Sequence, residues 1–370
     1  MTMSKHGWTY KKFEDCLKKF KTPSKIKSSE YYRSGLYPVI SQEQEYISGY
    51  NNSAEKIFHH DKPVVVFGDH SRVVKYVDFD FIVGADGVKI LLVRDELNPR
   101  FFYYYIKWID VQSLGYSRHY KVLKENYIPV PPMGEQEAIV AELDEINSAI
   151  DELKLQVADL GTLAQATFYD MFGDPVANPK AWPVKKLGEI AQTGTGATPN
   201  RRKSKLYYGG TIPWVKTTEV HYDDIFDTEE KITDLAIKET NCKIYPPGTI
   251  LLAMYGQGKT RGQIAKVKIS ASTNQACAAI ELFNSNCNID FIYEQLKLKY
   301  SQIRSMARGG NQANLNLRLV KSIEIILPPM PLQQEFAARV KAIEGAKAEL
   351  KAQMADMQAL LASRMQYWFD

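Results

Sequence analysis

An internal repeat is the feature that most limits what this 370-residue chain can fold into. The segment PPMGEQEAIVAELDEINSAIDELKLQVADLGTLAQATFYDMFG (residues 131–173) aligns without a gap with PPMPLQQEFAARVKAIEGAKAELKAQMADMQALLASRMQYWFD (residues 328–370). Many positions are identical, among them Gln136 and Phe172, which each meet the same residue type 197 positions later. Self-similarity at a fixed spacing indicates a repeated structural unit. We therefore expect two copies of one unit.

The segments in front of each repeat also resemble each other. They begin with WTYKKFED from Trp8 and WPVKKLGE from Trp182, and they end with KVLKENYIPVPP and RLVKSIEIILPP. The sequence therefore predicts four parts in chain order: a globular domain, a helix, a second globular domain and a second helix. Their predicted bounds are residues 1–130, 131–173, 174–327 and 328–370.

Each repeated segment has the apolar spacing of a coiled-coil helix, with alternating intervals of four and three residues. The predicted seam residues of the first helix are Ile139, Leu143, Ile146, Ile150, Leu153, Val157 and Leu160, and those of the second are Phe336, Val340, Ile343, Leu350, Met354 and Met357. Lys347 interrupts the second seam once. Because the chain supplies two matching helices of equal length, we predict an antiparallel coiled coil with a pseudo-twofold axis and a domain at each end. A compact bundle is the less favoured alternative.

Both globular segments are predicted to be mixed domains rich in β-structure. Short apolar runs such as YPVIS, KPVVVFG, KYVDFDFIV and VKILLV, followed by a helix-like PRFFYYYIKWID, occur in the first domain. TIPWVK, GTILLAMYG, QIAKVKIS and CAAIELF occur in the second, and residues 290–307 have helical periodicity. The predicted fold class is α+β: two β-rich mixed domains joined by two long helices that pair with each other.

The stretch LLAMYGQGKT, residues 251–260, ends in the Gly-Lys-Thr order of a phosphate-binding loop. The first glycine of that motif would fall at Ala253, and the residues after Thr260 alternate polar and apolar where a helix is needed. The matching stretch of the first copy, VVFGDHSRVVKYV, has no Gly-Lys-Thr. We therefore predict a β-hairpin with a glycine turn, and no ATP site.

Charge and cysteine content narrow the class of protein. Basic residues exceed acidic ones by 5 in residues 1–130 and by 7 in residues 182–327, whereas residues 131–181 have an acidic excess of 8. Two basic domains suit a polyanionic partner.

The four cysteines have no metal-site spacing, which predicts reduced thiols in a cytoplasmic protein and no metal. The sequence has neither an apolar run of membrane-span length nor a signal-peptide core.

Two variable domains, each followed by a similar long helix that opens with Pro-Pro, resemble the specificity subunit of type I restriction–modification systems. The resemblance covers essentially the whole chain. Its most specific segments are IPVPPMGEQEAIVAELD, FYDMFGDPVANPKAWPVKKLGEI, GGTIPWVKTTEV, LLAMYG followed by GQIAKVKISASTNQACAAI, and LPPMPLQQEFAARV.

The resemblance implies that each globular domain is a target recognition domain that reads one half of a bipartite sequence in double-stranded DNA. The helices would set the gap between the halves. It also implies two modification subunits, which carry S-adenosylmethionine and methylate adenine, and ATP-driven restriction subunits as partners. The chain itself would be a non-catalytic reader without a cofactor.

Candidate DNA contacts come from loops rich in basic, amide and hydroxyl side chains, because Asn and Gln can hold adenine, Arg and Lys can hold guanine, and further cations bind phosphates. In the first domain these are Ser41, Gln42, His70, Ser71, Arg72, Tyr116, Arg118 and His119. In the second they are Arg201, Arg202, Lys203, Lys205, Lys216, Thr217, Thr218, Lys259, Arg261, Asn274, Gln275, Arg308, Asn311 and Gln312. Any one of them is as well explained as a solvated loop residue. The prediction rests on corresponding loops in both copies.

Motifs of a catalytic chain are missing. Asn98-Pro99 and Asn178-Pro179 lack the rest of the Asn-Pro-Pro-aromatic motif of amino-methyltransferases, and GTGATP (residues 194–199) lacks the glycine spacing of a cofactor loop. The alternative that remains is a non-catalytic coiled-coil scaffold whose two domains bind protein or carbohydrate.

Overall fold

The computed structural model describes residues 6–21, 23–85, 87–109, 111, 115, 117–256, 258–307 and 314–370. Its internal contacts divide the chain into two units. Unit 1 consists of Met1–Lys154 and Lys351–Asp370, and unit 2 consists of Leu155–Leu350. Each unit therefore contains a stretch of both repeated segments.

The elements of unit 1 are short strands followed by helices. Its strands are β1 (Thr9–Lys12), β2 (Lys25–Ile26), β3 (Tyr37–Ile40), β4 (Gly49–Asn51), β5 (Ile57–Phe58), β6 (Val64–Gly68), β7 (Val74–Val77), β8 (Phe81–Gly84), β9 (Val88–Leu91) and β10 (Tyr127–Val130). Its helices are α1 (Pro99–Trp108), α2 (Tyr120–Leu123) and the first part of α3 (Met133–Phe172), which continues into unit 2.

Unit 2 repeats this plan. Its strands are β11 (Val184–Lys186), β12 (Ala191–Thr195), β13 (Tyr208–Val215), β14 (Asp224–Ile225), β15 (Lys231–Ile232), β16 (Ile250–Ala253), β17 (Ile264–Val267), β18 (Ser272–Thr273), β19 (Cys277–Leu282) and β20 (Glu324–Ile326). Its helices are α4 (Ser204–Tyr207), α5 (Asp234–Glu239), α6 (Ile289–Leu298), α7 (Tyr300–Ser305), α8 (Leu317–Lys321) and the first part of α9 (Met330–Phe369), whose end belongs to unit 1.

The two units share part of their sheet topology. In unit 1, β6 pairs antiparallel with β7 and β9, and β3 runs parallel to β8. In unit 2, β16 pairs antiparallel with β17 and β19, and β13 runs parallel to β18. A two-stranded antiparallel pair closes each domain, β1 with β10 and β11 with β20. The β16–β17 pair confirms the hairpin predicted for the Gly-Lys-Thr stretch, with a strand where a phosphate loop needs a helix.

A buried glutamine explains one repeated residue. In unit 1, the Gln136 side chain accepts from the backbone N–H of Asn98 (2.8 Å) and donates to the carbonyls of Glu96 (2.9 Å) and Pro131 (2.8 Å). In unit 2, Gln333 makes the corresponding bonds to Asn288, Asn286 and Pro328. Both side chains are fully buried, so each long helix is fixed to the domain in front of it.

A phenylalanine at the end of each long helix explains a second identical position of the repeat. In unit 1, the Phe369 ring lies 5.6 Å from that of Phe101 and 5.4 Å from that of Tyr105. In unit 2, the Phe172 ring lies 4.9 Å from that of Phe291. The end of each helix thus completes the core of a domain that it does not directly follow, and the aromatic pairs contribute roughly 0.5–1.5 kcal/mol beyond area burial.

The long helices pair antiparallel, as predicted. In unit 2, a β-carbon on Gly161 would lie 3.9 Å from Lys347 Nζ, while the ring of Phe168, further along α3, contacts that of Phe336, nearer the start of α9. In unit 1, Glu142 is paired with Arg364 and accepts from Trp368 Nε1 at 2.9 Å. Lys347 interrupts the seam opposite a residue without a side chain.

The seam register is also confirmed. The predicted positions nearest the domains are buried: Ile139, Leu143, Ile146, Ile150, Phe336, Val340 and Ile343. The remaining positions are half-buried: Leu153, Val157, Leu160, Leu350, Met354 and Met357.

Two predicted elements differ from the structure. The run KYVDFDFIV is two strands, β7 and β8, because residues 78–80 form a bend between them. The helical stretch 290–307 is divided into α6 and α7 at Lys299, whose ψ of 7° departs from helical geometry.

Candidate nucleic-acid interface

The β6–β7 turn of unit 1 packs closely against the loop that follows β3. A β-carbon on Gly68 would lie 2.2 Å from Ser71 Oγ and 2.9 Å from Gln42 Cβ. Gln42 Oε1 accepts from the backbone N–H of His70 at 3.1 Å, and the His70 ring lies 3.3 Å from the Ser117 carbonyl oxygen. Gln42, His70 and Ser71 therefore form one polar cluster that is partly accessible to solvent.

Two unit 1 candidates lie inside the domain. Ser41 is buried and its hydroxyl is hydrogen-bonded to Ser48 Oγ at 2.7 Å, and His119 is buried with Nδ1 3.0 Å from the Asp69 carbonyl oxygen. Side chains in these positions support the loops from inside the domain. Sequence alone did not distinguish them, because polar residues beside glycine turns occur in both roles.

Two further unit 1 candidates, Arg72 and Arg118, are on the surface. Arg72 has a positive φ of 62° and donates from Nη1 to the Val111 carbonyl at 2.9 Å, so its side chain fixes the segment after α1. Arg118 is exposed. Tyr116 lies outside the described residues.

Unit 2 has polar side chains at the ends of its parallel strand pair, β13 and β18. Thr217 follows β13 and Asn274 follows β18, and Asn274 Nδ2 donates to Thr217 Oγ1 at 3.1 Å. Next to them, the Thr198 hydroxyl donates to Gln275 Oε1. We call Thr198, Lys216, Thr217, Asn274 and Gln275 the polar row.

Lys216 of this row and the neighbouring Arg201 are paired with carboxylates. Arg201 donates from Nη1 and Nη2 to the two oxygens of Glu230 at 2.5 and 3.1 Å. Lys216 Nζ lies 2.5 Å from Glu229 Oε2 and 3.3 Å from Glu230 Oε1. The hydrogen bond from Arg201 lowers the pKa of Glu230, and that to Glu229 raises the pKa of Lys216. The two carboxylates were not among the predicted site residues, since the sequence search favoured basic and amide side chains.

The β16–β17 hairpin tip leaves the sheet beside the polar row, because Met254 N–H donates to the Ala276 carbonyl at 2.8 Å. The tip carries the exposed Lys259 and the partly buried Arg261. Gly256 and Gly258 have φ of 141° and 61°, values that favour glycine, so the tip needs them for its turn.

Helix α7 fixes this tip by two contacts that the sequence did not reveal. Tyr300 OH donates to the Lys259 carbonyl at 2.6 Å, and Arg304 Nη1 donates to the Arg261 carbonyl at 2.9 Å. Both bonds use backbone acceptors of the tip, which leaves the Lys259 side chain exposed. The periodicity of residues 290–307 indicated the helix but could not indicate what its polar face holds.

The other candidates of unit 2 are surface residues or lie outside the described part of the chain. The exposed ones are Arg202, Lys203, Lys205 and Thr218. Those outside the described residues are Arg308, Asn311 and Gln312.

The arrangement provides hydrogen-bond donors and acceptors at two loop clusters. All four cysteines are free thiols, and burial raises the pKa of Cys16 and Cys277 to about 11. No group of three metal-binding side chains occurs among the residues that the structure describes. Nor does the described part contain a helix long and apolar enough to cross a membrane. Amide, hydroxyl and cationic groups on loop ends suit recognition of base edges and phosphates.

Comparison with known proteins gives consistent results. A family model described as type I restriction modification DNA specificity domain matches residues 5–158 and 179–356. The specificity subunit of the type I restriction enzyme EcoR124I/EcoR124II from Escherichia coli is 25% identical over 334 residues, which is 86% of this chain and 82% of that protein.

Solved structures share the fold. The S subunit of a type I restriction-modification system from M. genitalium matches with a TM-score of 0.59 at 17% identity, covering 98% of this chain and 96% of that one. A structure from work on complex assembly and conformational transition of the type I R-M system matches with a TM-score of 0.55 at 15% identity, covering 98% and 97%.

Proposed function

The chain belongs to the type I restriction modification DNA specificity family, and we propose that it recognises a bipartite duplex sequence, with one half-site read by each globular domain. The observation that supports this most is the recurrence of one loop arrangement in both units. In unit 1, Gln42 is the second residue after β3, which runs parallel to β8. In unit 2, Thr217 is the second residue after β13, which runs parallel to β18. Each lies on the side of its domain where the central hairpin turns.

Different side chains on the loops of this side give each domain its own half-site. Unit 1 presents Gln42 and His70, whereas unit 2 presents Thr217, Asn274 and Gln275. Gln and Asn suit the N6 and N7 edge of adenine in the major groove, and each good bidentate pair discriminates by about 1–3 kcal/mol. Exposed cations such as Arg118 and Lys259 provide the sequence-independent attraction to phosphate.

The long helices act as the spacer between the half-sites in this proposal. Gln136 and Gln333 tie the start of each helix to one domain, and Phe172 and Phe369 tie the ends to the cores. An α-helix has a fixed rise per residue, so contacts at both ends of the helix make its number of residues set the distance between them.

The chemistry lies in partner subunits. Two modification subunits with S-adenosylmethionine would methylate adenine on the DNA that this chain selects, and restriction subunits would use ATP. The chain itself is the non-catalytic reader. The alternative, a scaffold that binds protein or carbohydrate, has no support among the relatives.

Mapping methylated adenines tests this function. Genomic DNA from cells with this chain and its modification subunits should contain a methylated motif in two separated parts, and the motif should be absent without this chain. A methylation pattern that does not depend on the chain would contradict the proposal.

A further inference from the structure

Glu229 and Glu230 lie on an ordered backbone next to the polar row of unit 2. Trp214 N–H donates to the Glu230 carbonyl at 3.1 Å, and the Thr228 hydroxyl donates to the same carbonyl at 2.7 Å. Glu229 N–H donates to Glu219 Oε1 at 3.0 Å. The backbone is thus tied to the end of β13, and the two carboxylates are held beside the cations that they bind.

The two terminal nitrogens of the Arg201 guanidinium, which form a bidentate fork, are already hydrogen-bonded to Glu230. The guanidinium carbon lies 4.2 Å from the centre of the Tyr208 ring and 5.4 Å from that of Trp214, so stacking fixes the plane of the group. A phosphate or a guanine is bound by the same kind of bidentate fork. While Arg201 holds Glu230, that pair of nitrogens is not presented to DNA.

Lys216 is held in the same way. Its side chain is 24% exposed, and both Glu229 and Glu230 contact its ammonium. The two carboxylates therefore balance the two cations charge for charge, at the edge of the side chains proposed to read bases.

We propose that Glu229 and Glu230 act as an internal substitute for DNA phosphate and lower the affinity of unit 2 for every duplex, so that only a duplex that also makes the base contacts is retained. This inference rests on the proposed DNA-reading function. It assigns a role in recognition to two acidic side chains, where the basic and amide side chains supply the attraction.

The energetic argument is one of exchange. Each cation has one pair in which a member is more than half exposed, Arg201 itself at 53% and Glu229 at 69%. Ion pairs in contact with solvent contribute only about 0–1 kcal/mol, so DNA can displace the carboxylates. Replacing a carboxylate by a phosphate on the same cation gains little, because one anion takes the place of another. Hydrogen bonds from bases to Thr217, Asn274 and Gln275 would supply the remaining free energy, and only the correct sequence makes them. A cost imposed on every duplex lowers all affinities by the same factor, so at a given concentration duplexes of the wrong sequence dissociate while the correct one stays bound.

The test compares Glu230→Gln and the double variant Glu229→Gln/Glu230→Gln with the wild type. Each full-length chain, assembled with its modification subunits, is titrated over a range of salt concentrations against two probes. One is a short duplex of random sequence, and the other carries the motif found by methylation mapping. Asp224→Asn is the matched control, because it makes the same charge change at a half-buried carboxylate, which pairs with Lys268 (3.1 Å) at the opposite end of β17 from the hairpin tip.

We expect the random duplex to bind more tightly to the variants. Its logarithmic salt dependence should steepen by about 0.9 for each additional phosphate that the protein neutralises, one phosphate for the single variant and two for the double variant. Target binding should tighten by a similar factor, and Asp224→Asn should leave both affinities unchanged.

Two results would overturn the inference. Weaker target binding with unchanged random binding would mean that Glu230 positions Arg201 for the target. Loss of all binding together with a lower melting temperature would mean that Glu230 is structural. In that case Glu229→Gln, which changes a side chain that is 69% exposed, decides the question: unchanged random binding by this variant overturns the inference. A wild-type complex that binds neither probe would instead refute the proposed function.

Discussion

Individual residues in the two loop clusters differ in what their side chains are free to do. The buried Ser41 and His119 support the loops from inside, and Arg72 is engaged with a backbone carbonyl. Lys259 differs, because only its backbone carbonyl is held, and its side chain is exposed on a hairpin tip. Residue type identified all of them as candidates. Only their neighbours in the structure distinguish a side chain that supports a loop from one that is available to contact DNA.

Lys259→Ala should leave folding unchanged and weaken DNA binding. A phosphate contact would weaken all sequences alike and lower the salt slope by about one, whereas a base contact would cost about 1–3 kcal/mol and relax one position of the second half-site. Lys268→Ala, at the other end of β17, is the control in the same titrations and should bind as the wild type. Unchanged binding by Lys259→Ala would remove this tip from the interface.

At the scale of elements, the sequence predicted most of what depends on local pattern. The heptad spacing predicted α3 and α9 and their seam, and alternation predicted the β16–β17 hairpin. It did not predict contacts between distant segments, such as Tyr300 holding the hairpin tip or Glu230 holding Arg201. Such contacts depend on which loops the fold brings together, and a single sequence carries no periodic signal for them.

Gln136→Ala should destabilise unit 1. The substitution removes three hydrogen bonds of a fully buried side chain and leaves the Asn98 N–H and two carbonyls without this partner, at a cost of roughly 1–3 kcal/mol for a buried unsatisfied group. Thermal unfolding followed by circular dichroism measures the change, and Gln358→Ala on the exposed face of α9 is the control. Equal melting temperatures for both variants would contradict this role for Gln136.

Removing one heptad from each long helix should shorten the spacer. Residues 151–157 and 348–354 are equivalent in the repeat, so deleting both keeps the seam in phase. Each helix shortens by about 10.5 Å, which corresponds to about three base pairs. We expect unchanged half-sites separated by a shorter gap, as measured by methylation mapping. An unchanged gap would mean that the helices do not set the spacing.

At the scale of the whole molecule, the repeat in the sequence corresponds to a repeat of contacts. Gln136 matches Gln333, and Phe172 matches Phe369, in bonds and ring packing that recur in both units. The sequence predicted the duplication and the antiparallel pairing. It did not predict that each unit contains the start of one long helix and the end of the other. That exchange depends on which domain core each terminal phenylalanine packs into.

Independent reading by the two domains is the central claim, and exchanging one domain tests it most directly. Residues 1–130 are replaced by the recognition domain of another member of the family, with Trp8, Phe101 and Tyr105 retained so that the Phe369 end of α9 still packs. Methylated adenines are then mapped in cells that carry the modification subunits. We predict that one half of the motif changes while the other half and the gap are retained. A motif whose two halves change together would contradict the account.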